Sequence, residues 1–115
     1  MNFMPVHVLF DDLAANFVRY ADDIAERATA LGGLAKGTAR MAAENSNMEE
    51  LPSEMTDGKE FVVAMADRFA AYGASSRAAI KRAEDANDAV TADLFTEITR
   101  EVNKSLYFLE SHLQG

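Results

Sequence analysis

The sequence contains no cysteine, which excludes a disulfide framework, a thiol nucleophile and a thiolate metal site. Any metal ion must therefore be bound by His, Asp and Glu, and such oxygen-rich ligand sets favour hard metals such as iron, manganese or magnesium. The chain also lacks an apolar run of about 18 residues and a basic segment followed by an apolar one at its amino terminus. We therefore expect no membrane span, and a cytoplasmic location.

Basic side chains are also scarce. Eleven Lys and Arg stand against nineteen Asp and Glu, which gives a formal net charge of -8. Because the basic residues do not cluster, we expect the chain to repel nucleic acid and anionic lipid. The remaining composition is that of a globular protein, with 49% hydrophobic and 26% charged residues among 115. This length predicts a single domain that spans residues 1–115.

The two Pro and six Gly divide the sequence into helical segments. Pro5 suits a first helical turn, and the helix that it opens is predicted to continue to Leu31 and to end at Gly32. A short helix is expected over residues 38–45. Residues 47–58 follow neither a helical nor a strand period, so they predict a surface loop.

The second half of the chain predicts two more long helices. One begins near Lys59, and its apolar period breaks at residues 84–88. Asp88 can cap the last helix. The apolar face of that helix consists of Leu94, Ile98, Val102, Leu106, Leu109 and Leu113. Three long helices cannot enclose one another as four do, so we expect an apolar groove that is open to water.

The first predicted helix has two different faces. Successive residues lie about 100° apart, which places an apolar set on one arc that we expect to form core. This set comprises Val6, Leu9, Phe10, Leu13, Phe17, Tyr20, Ile24 and Leu31. The adjoining arc carries ionisable side chains among alanines, namely His7, Asp11, Asp22 and Glu26. Asp12, Arg19 and Asp23 are expected to point elsewhere.

The spacing of the four ionisable residues suggests a shared metal site. His7 with Asp11 and Asp22 with Glu26 are i, i+4 pairs, yet the two pairs lie roughly 22 Å apart on one helix. Two such helices that cross antiparallel about a two-fold axis can place the first pair of one chain opposite the second pair of its partner. A single register achieves this, and the symmetry then produces the site twice per dimer. The alternative is that these residues form only a solvated acidic face.

Three segments carry a resemblance to a known family. NFMPVHVLFDDLAANFVRYADDIAERATALGGLAKGT, MADRFAAYGASSRAAIKRAED and DAVTADLFTEITREVNKSLYFLESHL together resemble the Dps family, the ferritin-like DNA-binding proteins from starved cells. The first segment is the most specific, because it combines the His, the Asp four residues later, the DxxxE pair and the LGG stop. No ExxH pair occurs, which disfavours bacterioferritins and rubrerythrins.

The resemblance implies an all-α, ferritin-like four-helix bundle with a short helix in its central connection, in a shell of twelve subunits. It also implies ferroxidase activity: oxidation of Fe(II), preferentially by hydrogen peroxide, and storage of ferric iron, which protects the cell against oxidative damage. The iron ligands would be His7 and Asp11 of one subunit with Asp22 and Glu26 of its two-fold partner. Asp88 and Asp93 would line a pore for iron, although an N-cap and a first-turn charge also explain them.

The sequence departs from the family in two respects. The family's first long helix has no counterpart before Met1, so we expect an amino-terminally truncated bundle of three long helices and one short helix. A truncated chain of this kind leaves a second function open, that of a non-catalytic helical interaction module. DNA-binding members commonly carry a basic tail, whereas this acidic chain closes with the segment HLQG, so we do not expect DNA binding. The resemblance leaves association with the bacterial nucleoid open.

Overall fold

The structure, a computed structural model, describes residues 3–114. It contains four helices, and no strand occurs within that range. They are α1 (Phe3–Ala30), α2 (Ala39–Asn45), α3 (Gly58–Asp85) and α4 (Ala89–Ser111). The prediction of an all-α fold with three long helices and one short helix is confirmed. In the described part of the chain, no helix combines the length and the apolar character that a membrane span requires.

Short polar side chains and one glycine fix where the helices begin and end. The side chains of Thr38, Asp57 and Asp88 accept hydrogen bonds from backbone N–H groups in the first turns of α2, α3 and α4. After α1 the chain turns at Gly32, whose φ of 89° lies in the left-handed region that favours glycine. The cap predicted at Asp88 is therefore present.

The helices α3 and α4 form a tightly packed antiparallel hairpin. Val62 and Phe69 of α3 and Ile98 and Leu109 of α4 are buried in the same apolar cluster. The predicted apolar face of α4 is confirmed, with its other members buried or half-buried. Because the two long helices bury each other, this hairpin provides the platform on which α1 lies.

The helix α1 packs antiparallel against α4 through a narrow stripe. Its buried residues are Val6, Leu13 and Tyr20, each seven positions from the next. Most of the arc predicted as core is confirmed, because its other helical members are half-buried against the same cluster. Leu31 is an exception: it is 59% exposed because α1 ends at Ala30, before the side chain can be directed inward.

An apolar groove runs between α1 and α3, as expected for three helices. One section of about 270 Å³ is lined by Phe10, Leu13, Ala14, Phe17, Met65 and Phe69. The Phe17 ring lies in the groove and makes edge contacts with Phe69 and Tyr72, with ring centroids 5.1 Å apart in both pairs. The apolar side of α1 is thus only partly covered, and its polar face remains exposed.

Candidate metal centre

The first ligand pair lies near the start of α1. His7 and Asp11 are both exposed, and the His7 Nε2 to Asp11 Oδ2 distance is 3.6 Å. The helix causes this proximity, because residues four apart project on the same side one turn from each other. An imidazole nitrogen and a carboxylate oxygen at this spacing can both contact one cation.

A second group lies near the end of α1. Asp22, Asp23 and Glu26 each offer one carboxylate oxygen, and these oxygens all lie within 4.8 Å of one another. The two residues predicted as a pair are therefore brought together. The expectation that Asp23 points elsewhere is wrong: it lies three residues from Glu26, and side chains at that spacing are neighbours on a helix surface. We refer to these three residues as the carboxylate cluster.

The two groups do not meet within one chain. In the range 3–114, the close ligand group includes neither His7 nor Asp11. This agrees with the rise of a straight helix, which separates His7 from Asp22 by roughly 22 Å. The antiparallel pairing that would join them involves a second copy of the chain and stays a prediction.

The carboxylate cluster has the chemistry of a hard-cation site. Three acidic groups with close oxygens repel one another, and a bound cation relieves that repulsion. The neighbouring guanidinium of Arg27 does not relieve the repulsion between these carboxylates. Its Nε donates to Thr91 Oγ1 at 2.9 Å and its Nη2 to Asp88 Oδ1 at 3.0 Å, so it is directed to the start of α4.

The two residues predicted to line a pore have different surroundings. Asp93 is exposed on the first turns of α4. Asp88 is about three-quarters buried, and its carboxylate accepts from the Thr91 hydroxyl, the Thr91 N–H and the Arg27 guanidinium. These bonds, those from Thr91 first, hold the pKa of Asp88 below its ordinary value. The capping role is directly visible, whereas the pore role stays a prediction.

Arg19 forms a second polar contact with α4, next to the buried Tyr20. The expectation that Arg19 points away from the ionisable face is confirmed, since its Nη2 donates to Glu101 Oε1 at 2.7 Å. Tyr20 is 2% exposed, and its hydroxyl has no hydrogen-bond partner among the residues that the structure describes. Burial raises the pKa of this phenol, and the nearby Glu101 carboxylate raises it further.

Sequence reasoning missed Arg27 and its contacts with Asp88 and Thr91. A signal was available, because Arg27 lies seven residues after Tyr20 and so continues the buried stripe of α1. Neither its residue type nor its position among exposed acidic residues indicated that the guanidinium turns toward another helix. That information comes from the packing of α1 on α4.

Comparison with known proteins points to one group of relatives. The profile of the ferritin-like domain family matches residues 1–115. A DNA protection during starvation protein of Agrobacterium fabrum is 33% identical over 112 residues, which represent 97% of this chain and 69% of that protein. General stress protein 20U of Bacillus subtilis is 25% identical over 112 residues, 97% of this chain and 77% of that protein. The crystal structure of Dps from Staphylococcus aureus matches with a TM-score of 0.92 at 29% identity, covering 99% of this chain and 76% of that one.

Proposed function

Since the chain belongs to the Dps family of ferritin-like proteins, we propose that it is a mini-ferritin subunit that oxidises Fe(II) and stores the ferric product. The observation that carries this proposal is the carboxylate cluster, in which three acidic side chains bring their oxygens within 4.8 Å and two of them, Asp22 and Glu26, are exposed. Carboxylates are suitable ligands for iron, and in this proposal iron is the substrate.

The complete site requires two copies of the chain. Two α1 helices that lie antiparallel about a two-fold axis bring His7 and Asp11 of one copy opposite Asp22 and Glu26 of the other. The exposure of all four residues in the single chain supports this pairing, because they remain accessible to a partner. We propose that such dimers build a closed shell of twelve subunits in the bacterial cytoplasm, and that Asp88 and Asp93 lie along its iron entry path. The net charge of -8 argues against DNA as a partner.

The chemistry that this site has to support is limited. Two Fe(II) ions each give up one electron to hydrogen peroxide, the O–O bond breaks, and two protons complete two water molecules. The carboxylates supply negative charge that favours Fe(III) over Fe(II), and the neutral imidazole of His7 completes the ligand set. We propose peroxide as the preferred oxidant. Its consumption together with Fe(II) would remove both reagents of hydroxyl-radical formation and so protect the cell.

A ferroxidase assay tests the proposal. Fe(II) is added without oxygen to wild type and to the double variant Asp22→Asn plus Glu26→Gln, peroxide follows, and Fe(III) formation is measured by ultraviolet absorption. We expect the double variant to lose most of the protein-dependent rate. Asp12→Asn is the matched control, because it removes one exposed α1 carboxylate outside the cluster. Equal rates in wild type and the double variant would contradict the proposal.

The open groove supports a second candidate, a non-catalytic module that binds another helix. Phe17 and Tyr72 lie in this groove, and Val18 on α1 is 72% exposed, so apolar surface is available for a partner. Self-association in the presence of a chelator distinguishes the two candidates. If the chain is a helix-binding module, chelation should leave both the dimer and the melting temperature unchanged. Fe(II) should then be oxidised no faster with the protein than without it.

A further inference from the structure

The buried stripe of α1 changes its character at the carboxylate cluster. Val6, Leu13 and Tyr20 are buried at intervals of seven, and the next position of this series is Arg27. Apolar contacts do not by themselves fix the rotation or the sliding of one helix on another, because hydrophobic attraction is not directional. A polar residue in such a stripe can fix both, since its hydrogen bonds require defined partners.

Arg27 makes the kind of contact that fixes a helix. Its planar guanidinium donates through Nε to Thr91 Oγ1 at 2.9 Å and through Nη2 to Asp88 Oδ1 at 3.0 Å. Arg27 and Asp88 are both about three-quarters buried, at 25% and 24% side-chain exposure, which limits screening by water. Asp88 is itself held by the N–H and the hydroxyl of Thr91, so its acceptor atoms have little freedom. The last turn of α1 is thereby fixed to the first turn of α4.

We propose that Arg27 is the positioning residue of the carboxylate cluster, because it sets the rotation of the helical turn that carries Asp22, Asp23 and Glu26. This inference rests on the proposed function. Another ion pair between α1 and α4, Arg19 with Glu101, lies about 12 Å earlier along α1. On the side of α3 the helix borders the apolar groove, where Ile24 and Ala25 of α1 lie along the same pocket as Tyr72 of α3.

A small rotation is sufficient to disturb the two-chain site. It leaves the distances within the cluster unchanged, because its three residues share one helix, but it displaces the cluster relative to His7 and Asp11 of the second chain. A carboxylate oxygen about 6 Å from the helix axis moves by about 2 Å when the helix turns through about 20°. Metal–ligand distances tolerate a deviation of only about 0.2 Å. Groups that orient ligands without contacting the metal accordingly change affinity by about 10- to 100-fold when they are removed. Arg27 acts less directly, through the backbone of α1, since its guanidinium is directed to Asp88 and Thr91 and not to the cluster, so we expect the lower end of that range.

Binding of Co(II) alone, measured by calorimetry and by its visible absorption, tests the inference. We expect Arg27→Gln to weaken binding about tenfold and to shift the absorption bands, which report ligand geometry. Arg27→Lys should recover part of the affinity, because an ammonium group can contact Asp88 but cannot bridge it to Thr91 in the same plane. Arg19→Gln is the matched control: it removes the same charge and an ion pair to the same helix, and it should leave affinity within about twofold.

Spin labels give a second readout that does not depend on metal. The absence of native cysteine allows labels at Ala30→Cys and Glu97→Cys, both exposed, in chains diluted with unlabelled protein. We expect one narrow distance distribution in wild type, a broad one with Arg27→Gln, and no change with Arg19→Gln. Equal effects of the two arginine substitutions, or no effect of Arg27→Gln, would overturn the inference. If wild type binds no Co(II), the proposed function fails, and the label distances alone decide whether Arg27 orients α1.

Discussion

Alanine substitutions at Gly73 and Gly32 should change stability in opposite directions. Gly73 is buried within α3, and a Cβ there would meet Asn103 Oδ1 at 3.5 Å and Val102 Cγ1 at 3.6 Å, which are ordinary van der Waals contacts. Alanine restricts the unfolded chain and favours the helix, so Gly73→Ala should stabilise the fold by about 0.5–1 kcal/mol. At Gly32 a Cβ meets nothing within 4 Å, but the φ of 89° is unfavourable for alanine and should cost about 1–2 kcal/mol.

Urea and thermal unfolding, followed by circular dichroism at 222 nm, measure both effects. One kcal/mol corresponds to a shift of roughly 4 °C in a domain of about 100 residues, so the two variants should differ by about 6–12 °C. The shared substitution makes each variant the control for the other. A loss of stability in Gly73→Ala would refute the packing that we describe between α3 and α4. An unchanged Gly32→Ala would refute the left-handed turn after α1.

Three further substitutions, one of them with an exposed control, test the core and the helix cap. Ile98→Ala removes a side chain that is 1% exposed and should cost about 2–5 kcal/mol in urea unfolding, whereas Val90→Ala, at a position 62% exposed, should change stability by less than about 0.5 kcal/mol. Tyr20→Phe removes a buried hydroxyl without a described partner and should leave stability unchanged or raise it by about 1 kcal/mol; a loss of that size would show that the hydroxyl has a partner. Asp88→Asn tests pH dependence. Thr91 and Arg27 hold the folded-state pKa of Asp88 below its ordinary value of 3.8. The stability that the Asp88 charge contributes is therefore fully present above pH 3.8 and is lost as the pH falls through the lower folded-state pKa. The difference in melting temperature between wild type and Asp88→Asn should therefore shrink below about pH 4, and a difference that stays constant down to pH 2 would contradict the assigned bonds.

The helices were largely predictable because their boundaries depend on local chemistry. Gly32 and the cap at Asp88 act within a few residues of themselves, so a reading of the chain finds them. Apolar periodicity identified the faces of α1 and α4 for the same reason. Leu31 shows where this reasoning fails. The apolar period predicts a buried side chain there, but α1 ends one residue earlier, so the helical period no longer determines where Leu31 points.

The candidate site was predictable in part. Two of the three residues of the carboxylate cluster follow from i, i+4 spacing, whereas Asp23 depends on how far its side chain reaches around the helix. The contact of Arg27 with Asp88 joins residues 61 positions apart, and no local pattern encodes which helix a guanidinium will meet. Assembly of the two ligand groups depends on a second chain and thus on surface complementarity that one sequence does not display.

Anomalous diffraction at the iron edge, from crystals of the protein loaded with Fe(II) without oxygen, tests the central claim most directly. We predict a peak in contact with the Asp22 and Glu26 carboxylates of one chain and with His7 and Asp11 of a second chain that runs antiparallel to it. Iron bound away from these residues, or α1 helices that do not pair, would contradict the claim.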